Sequence, residues 1–221
     1  MWSATSVAVI GIVYVATGAI GIFARPPGEG LLRQVDPYLA ILEFLIILSA
    51  VALVVMMAAV HAYAAPETKT FSLTSLSFMI AFATITCITH FASLTVGRQQ
   101  SAATPQLAHH LSFGWLSVAL ALDLLAWDFF LGFSLLFAAP VFRGDRLQTY
   151  IRRCTLLAGA LCLAGTFGPL LHWMRIQFLA IVGYAFVLPL IAVLVAVFFK
   201  RLSAEQRNLP ARQPTPTPPT P

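Results

Sequence analysis

The 221-residue chain alternates between six long apolar runs and short polar breaks. The runs cover 4–23, 38–64, 71–96, 111–139, 153–173 and 178–199. Each approaches or exceeds the roughly 20 residues that a helix needs to cross a bilayer. The breaks have the chemistry of helix ends. Pro26, Pro27 and Gly28 stop the first run, because proline removes backbone donors and glycine frees the chain to turn. Asp36-Pro37 opens the second, with an aspartate that can cap free amides and a proline that loses nothing at the first helical position. Pro66 ends that run, Thr70 or Ser72 can cap the third, Gly97-Arg98 stop it, and Pro140 closes the fourth. Gly168-Pro169 is expected to interrupt the fifth helix, and Pro189 to kink the sixth.

This pattern predicts an all-α polytopic membrane protein: a bundle of six transmembrane helices in residues 1–202, then a disordered Pro/Thr-rich tail over 203–221. The closing Pro-Thr repeat lacks the backbone donors for regular structure and reads as an extended, solvated end. The first run has no Lys or Arg before Ala4 and is longer than a secretory h-region, and Ile22 stands where cleavage after Ala24 needs a small residue. It is therefore expected to be the first membrane helix.

Composition strengthens this expectation. The chain is 59% hydrophobic and only 10% charged, with a mean hydropathy of +0.87, whereas a soluble domain has about a quarter of its residues charged. The net charge of +5 does not indicate nucleic acid, because the cations sit in the gaps between runs instead of forming a basic face. Lys69, Arg143, Arg146, Arg152, Arg153, Lys200, Arg201, Arg207 and Arg212 fall on one side of a six-span bundle, and Arg25, Arg33, Arg98 and Arg175 on the other. Short positive loops are retained in the cytoplasm, which places both termini there and the protein in the cell (inner) membrane.

Packing between such helices relies on small residues, since lipid is as apolar as leucine. Ala160, Ala164 and Gly168 on the fifth helix, and Gly11 and Gly18 on the first, are the expected contact stripes. Cys87, Cys154 and Cys162 fall in or beside apolar runs and read as small packing residues. The last two are ~12 Å apart along one helix, too far for a disulfide.

Chemistry is expected where the membrane disfavours the residue type. A charge at mid-bilayer costs at least ~2.5 kcal/mol, so Glu43, His61, His90, Asp123 and Asp128 should face the bundle interior. Depths counted from the middle of each run put Asp123 ~3 Å, His90 ~10 Å and Glu43 ~12 Å toward the outer face. Tyr184 lies at a similar depth, and Arg98 is placed to snorkel toward Glu43. Glu43, His90, Asp123, Tyr184 and Arg98 thus make a candidate binding or proton-linked cluster, in which the histidine titrates near neutral pH. Asp128, about 140° around the helix from Asp123, is a second intramembrane carboxylate with its own partners. If the cluster only holds helices in register, Thr84, Thr86 and Thr89 are the residues expected to satisfy the histidine.

Two redox or metal readings compete. His90 and His172, toward the outer side of helices three and five, resemble in placement the six-helix cytochrome b561 family, which would imply haem held between imidazoles. The chain departs from that family because His61 lies inward and His109 and His110 outward, so no second histidine pair forms. Cys87 and His90, spaced i, i+3, could hold a metal with Asp123 from the neighbouring helix, a thiolate–imidazole–carboxylate set that would suit zinc, and Cys87, His90 and His172 are the weak metal-ligand candidates. His109-His110 beside Gln106 form a polar group at the outer interface. No hydrolase motif or phosphate-binding glycine loop is present, so no catalytic residue and no cofactor is expected. The expected role is binding or transport of a small molecule or protons. The expected partners are the lipid bilayer and a small-molecule ligand, with no nucleic acid, and a homo-oligomer is compatible with the sequence. A purely structural or partner-binding role, through the basic 143–153 loop or the tail, is the remaining class.

Overall fold

The computed structural model describes residues 2–24, 36–97, 109–111, 113–114 and 117–208. Among these residues the chain is all-helical, and six helices are long and apolar enough to cross a membrane. They are α1 (Trp2–Ala24), α2 (Tyr38–Tyr63), α3 (Pro66–Gly97), α4 (Val118–Val141), α5 (Arg146–Leu170) and α6, whose span is Met174–Arg207. Each packs on its neighbours in the chain, and α1 closes the ring against α6. We call distal the half in which α2, α4 and α6 begin.

The two largest departures from the expected helix starts, at α4 and α5, each come from a polar cap. α4 begins at Val118 instead of 111, because Ser117 is extended and its hydroxyl accepts from the Leu120 amide at 3.0 Å. The apolar residues before it had disguised that break. α5 begins at Arg146 instead of 153, because the Asp145 carboxylate accepts from the Gln148 amide at 2.9 Å. Arg146, Arg152 and Arg153 therefore belong to the first turns of a helix and not to a loop. α5 ends at Leu170, so Gly168-Pro169 sit in its last turn and do not interrupt it. The chain reverses through His172, in the left-handed region at φ 54°, while the Trp173 amide donates to the Gly168 carbonyl at 2.9 Å. The last helix continues to Asn208, so the first six residues of the expected tail are helical, and 209–221 lie outside the described residues.

The helices satisfy several of their own hydroxyls. Thr84, Thr95 and Thr155 each donate to the carbonyl four residues earlier, which allows a threonine to occupy an apolar helix without an external partner. Across helices, Ser75 and Ser134 are locked reciprocally. The Ser75 hydroxyl donates to the Ser134 carbonyl at 2.7 Å and the Ser134 hydroxyl to the Ser75 carbonyl at 2.9 Å, both side chains fully buried. Beside this clamp, Phe78 stacks on Phe133 and Phe137 with centroids 5.3 and 5.9 Å apart, so α3 and α4 meet through aromatic faces.

The small-residue stripe on α5 is displaced from the expected one. Ala160 is exposed, and close approach is made by Gly159, Gly165 and Gly168. A Cβ on Gly165 would stand 2.3 Å from the Ala180 Cβ, and one on Gly159 2.9 Å from the Gly132 carbonyl oxygen. Only glycine lets these backbones come so near. Gly11 and Gly18, by contrast, make no tight contact: nothing lies within 4 Å of a Cβ on Gly11, and only a Leu42 methyl lies at 4.0 Å from one on Gly18.

Three helices carry one widened π turn each: Ser93–Gly97 in α3, Leu125–Phe130 in α4 and Val182–Val187 in α6. The last has an identifiable cause, since Pro189 offers no amide and its ring crowds the preceding turn, which opens to relieve it. Such turns are rare and recur at functional sites. Ser93, Asp128 and Tyr184 all lie within them.

Candidate functional site

Glu43 stands just over a turn into α2, His90 near the end of α3, and Asp123 just over a turn into α4. In an antiparallel ring these positions fall at one level. Counted from the middle of Val118–Val141, Asp123 is ~10 Å toward the distal end instead of ~3 Å, because α4 starts later than expected. It thereby meets Glu43, ~11 Å from the middle of α2.

His90 bridges the two carboxylates. Its Nδ1 lies 2.5 Å from Glu43 Oε2 and its Nε2 lies 3.2 Å from Asp123 Oδ1. The Ser93 hydroxyl donates to the second Glu43 oxygen at 3.3 Å. Phe113, from the segment before α4, lies over the imidazole with ring centroids 4.8 Å apart. Glu43 and His90 are buried, whereas the Asp123 side chain keeps 22% of its surface exposed. A neutral imidazole has one N–H and one lone pair, while both of its partners here are acceptors when ionised. The two contacts together need two protons among three groups, and with no further proton on the carboxylates the triad carries one net negative charge. No Lys or Arg among the described residues pairs with it.

The exposed face of Asp123 borders a partly open cavity of about 250 Å³ lined by α1, α2, α4 and α6. Its walls are mostly aliphatic, including Val7, Ile10, Leu45 and Leu53, with Tyr14, Trp127 and Tyr184 as the aromatic members. Trp127 and Tyr184 pack together at 5.1 Å, which fixes Tyr184 on the wall. The structure thus brings Glu43, His90 and Asp123 into one hydrogen-bonded set and places Tyr184 on the adjoining cavity, while Arg98 lies outside the described residues.

Asp128 belongs to a different set. It is fully buried, and the Gln177 side-chain amide donates to its Oδ1 at 3.0 Å. Its Oδ2 and the Gln177 Oε1 are buried without partners. The expected threonine support of His90 is not found. Thr84 donates to the Ile80 carbonyl, and the Thr86 and Thr89 hydroxyls have no partner.

The metal and haem candidates are not gathered. No three His, Cys, Asp or Glu side chains among the described residues form a metal-ion group. Cys87 sits among Val51, Val54, Val55 and Ile80 on the α2–α3 face. His172 is exposed on the turn between α5 and α6, and both nitrogens of His90 are taken by carboxylates. His61 lies at the opposite end, its Nδ1 2.8 Å from the Ser72 hydroxyl. His109 and His110 are exposed, with ring centroids 5.7 Å apart, and Gln106 lies outside the described residues.

Sequence reasoning missed Ser93, Phe113, Tyr14, Trp127 and Gln177. Ser93 carried a usable signal, one turn beyond His90 on the same face. Gln177 did as well, as an amide at the start of an otherwise apolar run. Phe113, Tyr14 and Trp127 are indistinguishable in sequence from packing aromatics. No protein-family model matches the chain, and neither the curated proteins nor the solved structures contain a match to it.

Proposed function

We propose that this chain is a multi-pass protein of the cell (inner) membrane, with both termini cytoplasmic, that binds a small molecule in the cavity beside Asp123 and links its binding or passage to protons carried by Glu43, His90 and Asp123. The observation that carries this reading is His90 held between two carboxylates, one of them on the cavity wall. Gaining or losing one proton changes the triad's charge and one of its two hydrogen bonds. A ligand that touches Asp123 therefore acts on the same groups as the proton. The cavity, mostly apolar with a few convergent polar groups, has the character of a small-molecule site.

The test is thermal unfolding of the detergent-purified chain from pH 5 to 8 against a panel of small cationic, anionic and neutral aromatic compounds. At least one member is expected to stabilise the wild type by an amount that changes with pH. In Asp123→Asn, where the amide cannot exchange the proton, that pH dependence is expected to disappear. If no panel member stabilises the protein at any pH, the reading fails.

A further inference from the structure

The cavity has one charged group on its wall, and that group is a carboxylate. Asp123 lines it, while no Lys, Arg or His does. Asp123 Oδ1 is engaged by His90 Nε2, and its second oxygen accepts no hydrogen bond from the described residues, although the side chain is partly exposed toward the cavity. Behind it the triad keeps one net negative charge that no described cation neutralises, in an interior where an uncompensated charge is costly. An indole and two phenol rings, Trp127, Tyr14 and Tyr184, line the same cavity as the carboxylate. Aromatic faces attract cations, most strongly tryptophan, and a desolvated setting raises that attraction. The remaining walls are aliphatic except for Ser49, whose hydroxyl donates to the Ile46 carbonyl at 2.8 Å, and offer little to a hydrated ion.

From this geometry we infer that the ligand of the cavity is a small organic cation with an apolar body, its ammonium group against Asp123 and the aromatic rings and its hydrocarbon part against Leu45, Leu53 and Leu188. The inference rests on the proposed small-molecule reading and names its ligand class. A metal ion is disfavoured because one carboxylate among aliphatic walls cannot replace a hydration shell. An anion would meet the triad's own charge, and a lipid acyl chain would leave that charge unanswered.

Benzyltrimethylammonium and neopentylbenzene, which share a shape and differ only in charge, separate these cases. Both are titrated against the detergent-purified full chain by calorimetry at pH 7. The cation is expected to bind at least tenfold more tightly than its neutral twin, and the preference is expected to vanish in Asp123→Asn. Gly11→Leu, which projects a side chain into the cavity from a position with no neighbour within 4 Å, is a second variant independent of the triad. It is expected to abolish binding of both. Equal affinity for the two probes overturns the cation assignment and leaves the cavity reading standing, the outcome an acyl-chain site would give. Absence of binding by either probe, with no other panel member stabilising the protein, removes both. A preference for the cation that survives Gly11→Leu places it outside the cavity and overturns the assignment.

Discussion

His90 has the largest stake in the molecule, because its ring is the only described connection between the Glu43 and Asp123 carboxylates. Truncating it removes both bonds at once and leaves two carboxylates facing an apolar interior. His90→Ala is expected to lower stability by about 3–5 kcal/mol, the usual scale for breaking a buried ionic pair by removing one partner. Glu43→Gln keeps an acceptor for one partner and is expected to lose only about 1 kcal/mol. Denaturant unfolding in detergent distinguishes the two, and equal losses would mean that the Glu43 contact alone, and not the bridge to Asp123, carries the stability that His90 supplies. The cluster was legible in the sequence because charge in a membrane helix is rare enough to be noticed residue by residue. Its internal order was not, since which atom of His90 meets which carboxylate depends on the rotation of three helices about their axes.

At the scale of elements, apolar run length located all six helices but placed some of their ends poorly. Ser117 and Asp145 set the true starts of α4 and α5, and each was hidden, the first among aromatic residues and the second in what read as a charged loop. The error at Ser117 shifted the inferred depth of Asp123, and the structure removes that shift. Contact stripes were harder still to read, because a small residue says that close approach is allowed but not that it occurs. Gly165 and Gly11 put this to the test. Gly165→Ala forces a methyl group onto Ala180 and is expected to cost about 1–3 kcal/mol as α5 and α6 are pushed apart. Gly11→Ala meets nothing and is expected to fall within about 0.5 kcal/mol of the parent. Matched unfolding measurements on the two variants check the contrast.

For the whole molecule, the ring places its polar groups unevenly. The triad and the cavity lie in the distal half and the middle, while at the opposite end Tyr63 and Phe142 pack against Phe198, with centroids 5.0 and 6.0 Å apart. Under the proposed orientation that aromatic end faces the cytoplasm. A cytoplasm-specific reporter fused after Asn208 is therefore expected to be active, and the same reporter inserted between α3 and α4 inactive. Activity at both sites would contradict an arrangement in which α4 to α6 make three crossings. The six long helices could be read from the sequence, because apolar run length needs no tertiary knowledge. The cavity could not, since it is made by aliphatic residues that would look the same if they were packed.

The three widened turns bear on how this chain tolerates changes in length. A π turn holds one residue more than the α-helix around it, while the segments on either side keep nearly the phase they would have without it. Removing one residue from 125–130 therefore leaves the Ser134 face of α4 aligned with α3 and merely straightens the helix between. The same deletion in the middle of α2, which has no such turn, would swing everything beyond it by about 100° and turn its buried face out of the bundle. Of the helices that build the site, α3, α4 and α6 thus contain slack of one residue each, and α1 and α2 contain none.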